Sequence, residues 1–273
     1  MAQASLSLSP QQVEFFQREG YLVLPAITTA EEVAGLCEIY DRMFATQAGR
    51  AQGDHLDLSG PDEDGQPAVL PQILNPSKYA PELANTVFRA NAAVIARQLL
   101  GPEAEYLGDH AIRKAAHTQA ATPWHQDEAY WDPNQEYSEL SIWIPLQAAT
   151  LENGCMQFVP GTHRQEVLPH HPIGNDPRII GLEVDEPQKL AAGAVAGPIP
   201  AGGATVHHSR MLHYTSPNHS DGPRRAYILT FGAPRRQRAT PRNFYWLEQQ
   251  KTKWQERHAA ASEASSQAEA DNQ

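Results

Sequence analysis

Trp124-His125-Gln126-Asp127 holds the densest chemistry in this sequence. On a strand, residues i and i+2 point to one face, so His125 and Asp127 can grip a single ion while Gln126 turns away. An imidazole and a carboxylate suit a divalent first-row metal, and a second histidine would complete a set that leaves positions open opposite the protein ligands. By itself a His-x-Asp pair reads first as a surface histidine beside a solvated aspartate. It does not stand alone, because His207-His208-Ser209-Arg210-Met211-Leu212-His213-Tyr214-Thr215 follows on a later strand, and then Arg224-Arg225-Ala226-Tyr227. An arginine there brings a forked guanidinium that matches a carboxylate bidentately, as a lysine does not. Alternation puts Arg224, Ala226 and Ile228 on one face and Arg225, Tyr227 and Leu229 on the other, so one arginine of the two points inward.

These residues need a scaffold, and the chain supplies two kinds. The first hundred residues read as helices. Ser9-Pro10-Gln11-Gln12 offers a cap and a proline at the first helical position, with a stop at Gly20. Thr29 and Glu32 form a second capping box, ahead of Val33, Leu36, Tyr40 and Phe44 at helical spacing. Leu83, Val87, Val94 and Ile95 give a third helix, stopped by Gly101-Pro102. Tyr21 to Leu24 is a short strand, and residues 45 to 72 read as one long polar loop. From Ala104 onward the period changes. Glu105–Gly108, Leu140–Ile144, Met156–Val159, Ala204–His208 and Arg225–Phe231 are short runs between Gly- and Pro-rich turns, the habit of an antiparallel barrel or sandwich. Residues 1–257 are expected to form a single domain, helical over about 9–102 and barrel-like over about 104–236. A disordered tail is expected over 258–273, where nothing is more apolar than alanine.

Composition bounds the function. The chain has 273 residues, is 41% hydrophobic and 19% charged, and carries a formal net charge of −11, which reads as globular and argues against a general nucleic-acid or anionic-membrane binder. Two cysteines make no disulfide framework and fit a reducing compartment. No run approaches a membrane span, and the first ten residues are not a signal peptide, so the expected setting is cytoplasmic. An acidic surface is compatible with a monomer or a small homo-oligomer.

Three landmarks in order give the sequence a family likeness. They are Trp124-His125-Gln126-Asp127; Trp143-Ile144-Pro145-Leu146 through Glu152-Asn153-Gly154 to Pro160-Gly161-Thr162-His163; and Leu212-His213-Tyr214-Thr215-Ser216-Pro217-Asn218 with Arg224, eleven residues beyond His213. The chain resembles the phytanoyl-CoA dioxygenase family of Fe(II)- and 2-oxoglutarate-dependent oxygenases, with Thr162 in place of the usual serine. The resemblance implies a mainly β fold with flanking α, a double-stranded β-helix (a jelly-roll, cupin-like barrel) behind N-terminal helices. It implies Fe(II) on His125, Asp127 and His213, with no catalytic residue beyond the metal ligands, and 2-oxoglutarate and O2 as co-substrates. Arg224 would pair with the distal carboxylate of 2-oxoglutarate, Thr215 would add a hydroxyl to it, Trp143 would line its site, and Lys114 is a further contact. Asp127 stands where related halogenases carry a small residue to admit chloride, so halogenation is not expected.

The implied reaction oxidises an unactivated C–H bond of a small organic substrate and releases succinate and CO2. Tyr130 and Trp131 follow the first ligands at the barrel mouth and read as pocket or plain packing. Asn153-Gly154 reads as a turn first, and Pro160-Gly161-Thr162-His163 as a loop-shaping turn whose histidine bonds locally. His207 and His208 read as structural, with one of them open to the cavity. Between Arg224 and Arg257 nine basic residues face two acidic ones. That segment is either a docking face for an anionic substrate, such as an acyl-CoA or a carrier-bound compound, or a cluster that pairs with the acidic remainder. The loop 45–72 and the segment 168–196 are expected over the barrel mouth. Two other classes stay open: a cupin-type metalloenzyme that does not use 2-oxoglutarate, and a non-catalytic binding module on the same barrel.

Overall fold

Capping chemistry sets the helices. In the computed structural model, which describes residues 6–260, Ser9 and Gln12 form the reciprocal capping box and α1 (Pro10–Glu19) ends at Gly20 with φ +82°. Thr29 caps α2 (Ala30–Ala45) by accepting from the Glu32 amide at 3.2 Å. Glu32 does not return that bond. Its carboxylate caps α3 (Val87–Leu100) instead, accepting from the amides of Val87 and Phe88 at 2.6 and 2.8 Å. The expected second capping box is therefore half a box, with the free half tying two helices together. Leu83 falls in a separate 3-10 turn, so the third helix begins at Val87.

The first strands are β1 (Tyr21–Leu24), β2 (His55–Asp57), β3 (Pro71–Leu74), β4 (Glu105–Lys114) and β5 (Thr122–His125). Next come β6 (Gln135–Glu136), β7 (Glu139–Pro145), β8 (Met156–Phe158), β9 (His170–Pro172) and β10 (Leu182–Val184). Then follow β11 (Val195–Gly197), β12 (Ala204–His208), β13 (His213–Thr215), β14 (Arg224–Gly232) and β15 (Arg236–Gln237). Two short helices, α4 (Pro187–Leu190) and α5 (Tyr245–Gln249), interrupt and follow these strands. The main sheet has seven strands in the order β1-β12-β7-β14-β4-β3-β2, and an opposing one has four, β11-β8-β13-β5. This is the jelly-roll architecture. The supposed loop 45–72 contributes β2 and the start of β3 to the main sheet. All three β2 residues are buried, so its pattern shows no alternation to read.

Strand alternation divides the core. Ile142, Ile144, Tyr227, Leu229 and Phe231 face α2 and α3 in one cluster, while Trp143, Ala226 and Ile228 face inward in another with Met156 and Phe158. Arg224 therefore points into the barrel, and Arg225 points out to Asp41 of α2 at 2.7 Å. Residues 258–260 continue a helix that starts at 253, capped by Thr252 and Gln255. That corrects the expected disordered tail at those three positions; the remainder of the tail lies outside the described residues. Among the described residues no helix is long and apolar enough to cross a membrane.

Candidate metal centre

Register brings the distant histidines together. His213 of β13 lies opposite His125 of β5, with the rings 4.1 Å apart between centroids. Asp127 is not on the strand, contrary to expectation, but is the first residue of a 3-10 turn running to Tyr130. Gln126 between them is extended (φ −119°, ψ 131°), so the alternation persists for one more residue and His125 and Asp127 still share a side. Gln126 points the other way, donating to the Arg210 carbonyl at 2.7 Å and accepting from the Leu168 amide at 2.8 Å. One ligand atom each from His125, Asp127 and His213 lies within 4.8 Å of the others.

The tautomers are fixed by what surrounds the rings. His125 Nδ1 lies 2.7 Å from the Pro123 carbonyl and His213 Nδ1 lies 2.8 Å from that of Met211. A carbonyl oxygen only accepts, so each Nδ1 carries the hydrogen and each Nε2 presents a lone pair. Those Nε2 atoms lie 3.7 and 3.5 Å from Asp127 Oδ1. The other carboxylate oxygen, Oδ2, takes a hydrogen bond from Ser141 Oγ at 2.9 Å and has His207 Nε2 at 3.3 Å. Burial pushes the Asp127 carboxyl up, but the imidazoles of His213, His207 and His125 outweigh it and keep it ionised. Burial lowers the pKa of His125 and of His213, the latter well below the ordinary range, so both stay neutral. Two neutral imidazoles and one carboxylate oxygen converging from one side fit a divalent first-row ion.

A second feature lies beside this trio. Arg224 is 1% exposed, its guanidinium stands 5.4 Å from the Trp143 ring centre, and its Nε and Nη1 have no partner. Burial pushes its pKa down to about 10, which still leaves it charged at neutral pH. The Thr215 hydroxyl is likewise buried and unpartnered. A buried cation with two unspent donors and an unspent hydroxyl on the same cavity are groups that could take up a carboxylate. Lys114, paired in register with Arg224, takes another part. Its ammonium donates to the carbonyls of Thr215 and Ser216 at 3.0 and 2.7 Å, and it is not among the residues lining the cavity. Burial and the Arg224 charge lower its pKa well below the ordinary value.

All of this opens on a cavity of about 440 Å³ lined from both sheets, to which Trp143, Thr215, Arg224, Tyr130 and Trp131 contribute. Tyr130 also accepts from the Leu182 amide at 2.7 Å, and Trp131 packs edge-on against Tyr137. The expected mouth segments supply Leu56, Leu58 and Ile180. Sequence reasoning missed His110, bonded to Gln72 at 2.9 Å, and three residues from beyond the barrel, Leu247, Gln250 and Trp254. His163 does not bond locally as expected. It reaches back to the Gln17 carbonyl of α1 at 3.1 Å, while its neighbour Thr162 accepts from the Leu212 amide at 3.0 Å and so braces the residue before His213.

Most of the basic segment pairs with acidic groups of the same chain. Arg235 binds Glu139, Arg242 binds Glu128, Arg238 meets Glu136 and Glu166, Lys253 binds Glu256, and Arg257 binds Asp62. With Arg225 on Asp41 and Arg224 inside the barrel, seven of the nine cations are engaged, while Arg236 and Lys251 are exposed and make no ion pair among the described residues.

The model of the phytanoyl-CoA dioxygenase (PhyH) family matches residues 16–226, which include every residue of the metal trio and Arg224. Among solved structures, EvdO2 of Micromonospora carbonacea var. aurantiaca, complexed with 2-oxoglutarate, superposes with a TM-score of 0.76 at 40% identity, over 89% of this chain and 98% of that one. Curated relatives include the L-proline trans-4-hydroxylase of Streptomyces griseoviridis, 29% identical over 79% of this chain and 83% of its own. Another is the bovine (Bos taurus) phytanoyl-CoA dioxygenase domain-containing protein 1, 28% identical over 81% of this chain and 89% of its own. A match over most of the barrel, carried by landmarks that the fold gathers around one cavity, means that the chain belongs to the phytanoyl-CoA dioxygenase family of Fe(II)- and 2-oxoglutarate-dependent oxygenases.

Proposed function

We propose that His125, Asp127 and His213 hold Fe(II), and that Arg224 and Thr215 hold the far carboxylate of 2-oxoglutarate, in a dioxygenase acting on an unactivated C–H bond of a small organic substrate. The observation that carries this reading is the buried Arg224, charged and with two unspent donors, in the same cavity as the unspent Thr215 hydroxyl. A cupin-type enzyme without 2-oxoglutarate has no use for that arrangement, and a module that only binds has no use for the complete trio of metal ligands beside it.

When bound, the iron supplies dioxygen activation and oxidising power, with succinate and CO2 as the co-products. The chain's own residues bind and orient. Backbone carbonyls hold the two imidazoles in the ligating tautomer, and Ser141 with His207 occupies one carboxylate oxygen so that Asp127 offers the other. Trp143 covers one side of the Arg224 guanidinium and keeps water from it. Lys114 fixes the backbone that carries Thr215. The portion of substrate inside the cavity is uncharged on this reading, because Arg235 is neutralised by Glu139 and Arg224 is committed to 2-oxoglutarate. Residues 1–257 act as one catalytic domain on this reading, supported among the described residues by the pairing of β1 with β12 and of Arg257 with Asp62. Cys37 and Cys155 are both free thiols, which suits the cytoplasm.

The test needs no substrate. Metal-free protein receives Fe(II) and 2-oxoglutarate without oxygen, and the visible charge-transfer band is titrated. The wild type shows the band. His213→Ala loses it, and Arg224→Ala needs about 100-fold more 2-oxoglutarate, the cost of losing a buried bidentate partner. No band in the wild type sinks the assignment of both metal and co-substrate sites.

A further inference from the structure

One wall of the cavity comes from a stretch that the barrel does not require. Past β14 the chain returns across the metal-bearing turn. Phe244 and Trp246 bury themselves against Ala129 and Leu182, and Trp246 Nε1 donates to the Ala129 carbonyl at 2.9 Å, two residues beyond Asp127. Gln250 Nε2 donates to the Ile180 carbonyl at 2.8 Å, and the Lys251 amide to that of Pro177 at 2.7 Å. Leu247, Gln250 and Trp254 then line the cavity directly. The strap is fastened at both ends by ion pairs between partners mostly withdrawn from water, Arg242 with Glu128 and Arg257 with Asp62. Asp62 is held in turn by Arg50 of the segment that follows α2, so the far anchor joins three parts of the chain.

Two facts separate this wall from the common machinery. It lies wholly beyond residue 226, where the match to the family model ends. The Trp254 indole N–H is also buried without a partner, a donor left unspent by the protein's own structure. Trp246, buried in the same strap, finds a partner for that group, whereas Trp254, half-buried with one face stacked on His258, does not.

We propose that the strap 242–257 is the selectivity wall of the active site, in which Trp254, beside a Gln250 tied down through its amide nitrogen, decides by size which compounds reach the reacting centre. The proposal rests on the reading of that centre given above. Trp254 supplies a flat apolar face and a donor, and Gln250, anchored through its amide nitrogen, keeps its position as part of the wall. The occupant that fits is an uncharged organic molecule with an acceptor oxygen, narrow enough to lie beneath the strap.

The test uses the Fe(II)-loaded protein with 2-oxoglutarate and two probes of different size, nitric oxide and the bulky iron(II) chelator ferrozine. Trp254→Ala, Arg257→Ala and Trp254→Phe are compared with wild type. All four proteins are expected to show the same charge-transfer band, 2-oxoglutarate affinities within twofold of each other, and equal rates of nitric oxide binding. Ferrozine is expected to strip the iron at least tenfold faster from Trp254→Ala and Arg257→Ala, with Trp254→Phe restored close to wild type. Arg257→Ala lies outside the cavity and loosens the strap without altering its lining, so the proposal stays open to refutation even if Trp254→Ala does not fold. Equal ferrozine rates across the set overturn the selectivity wall and leave the metal centre untouched. No band in the wild type is a different result, which removes the centre and with it the wall.

Discussion

Asp127 shows how much of the site depends on groups that never touch the metal. A carboxylate with two free oxygens can bind an ion through either or both, and the three-ligand geometry then loosens. Here Oδ2 is occupied by Ser141 at 2.9 Å and approached by His207 at 3.3 Å, which leaves Oδ1 facing the two histidines. Ser141→Ala is therefore expected to weaken Fe(II) binding about 10- to 100-fold while leaving the charge-transfer band attainable at saturation. Anaerobic titration of the band with Fe(II) measures it, and an unchanged midpoint would show that the carboxylate needs no such support. Alternation made the His125-Asp127 pair readable and allowed one inward arginine of two, while His213 and Arg224 were singled out only by the likeness of the ordered landmarks to the family. Ser141 and His207 were not readable, because they face each other across the β7–β12 pairing, more than sixty residues apart along the chain. Only that register marks His207, rather than His208, as the cavity-facing member of the pair.

At the scale of elements, the turns work as supports for the strands that carry ligands. Asn153 ties its own turn, accepting from the Thr150 amide and donating to the Ala148 carbonyl, each at 2.8 Å. Gly154 follows with φ +87°, and a Cβ there would stand 2.5 Å from the Ser216 carbonyl oxygen. That same oxygen accepts from Lys114, which also holds the Thr215 carbonyl. Gly154→Ala thus meets two penalties, an unfavourable backbone conformation and a collision with a backbone atom that has nowhere to go. A loss of about 2 to 4 kcal/mol in unfolding free energy is expected, with weaker 2-oxoglutarate binding as Thr215 shifts. Denaturant unfolding and band titration read the two effects separately; a stability loss with 2-oxoglutarate binding unchanged would detach the turn from the co-substrate site. Asn153-Gly154 was readable as a turn from its residue types alone. What it supports was not, since the supported carbonyl lies sixty residues further on. The strands β2 and β3 escaped the sequence for a similar reason: short and buried on both faces, they carry no alternation.

For the molecule as a whole, the histidines determine how it meets acid. Burial lowers the pKa of His110, His125, His170, His208 and His213, with His170 brought down to about 4 and His208 to about 3. His170 is fully enclosed, its Nδ1 hydrogen on the Leu168 carbonyl and its Nε2 accepting from the Gln126 amide, so protonation breaks a bond next to the metal ligands. In the unfolded chain these rings take up protons near pH 6.5, whereas in the folded one they stay neutral to lower pH. Between those values the unfolded state binds more protons, so stability is fully present above about pH 6.5 and declines as pH falls. His170 alone contributes roughly 3 kcal/mol that is lost between about pH 6.5 and pH 4. Most ordinary carboxylates titrate lower, so the metal-free protein is expected to lose at least about 2 kcal/mol between pH 7.5 and pH 5.0, well before general acid unfolding. Urea unfolding at the two pH values tests this, with His170→Gln expected to remove about one proton from the slope whatever it does to stability at pH 7.5. Saturating Fe(II) and 2-oxoglutarate should raise stability at both pH values without flattening the profile, because the folded imidazoles are already neutral there while the unfolded chain still takes up the protons. Equal stabilities at both pH values in the metal-free protein would mean that the buried rings open to water without unfolding, and that the enclosure around His170 and the ligand pair is looser than its hydrogen bonds imply.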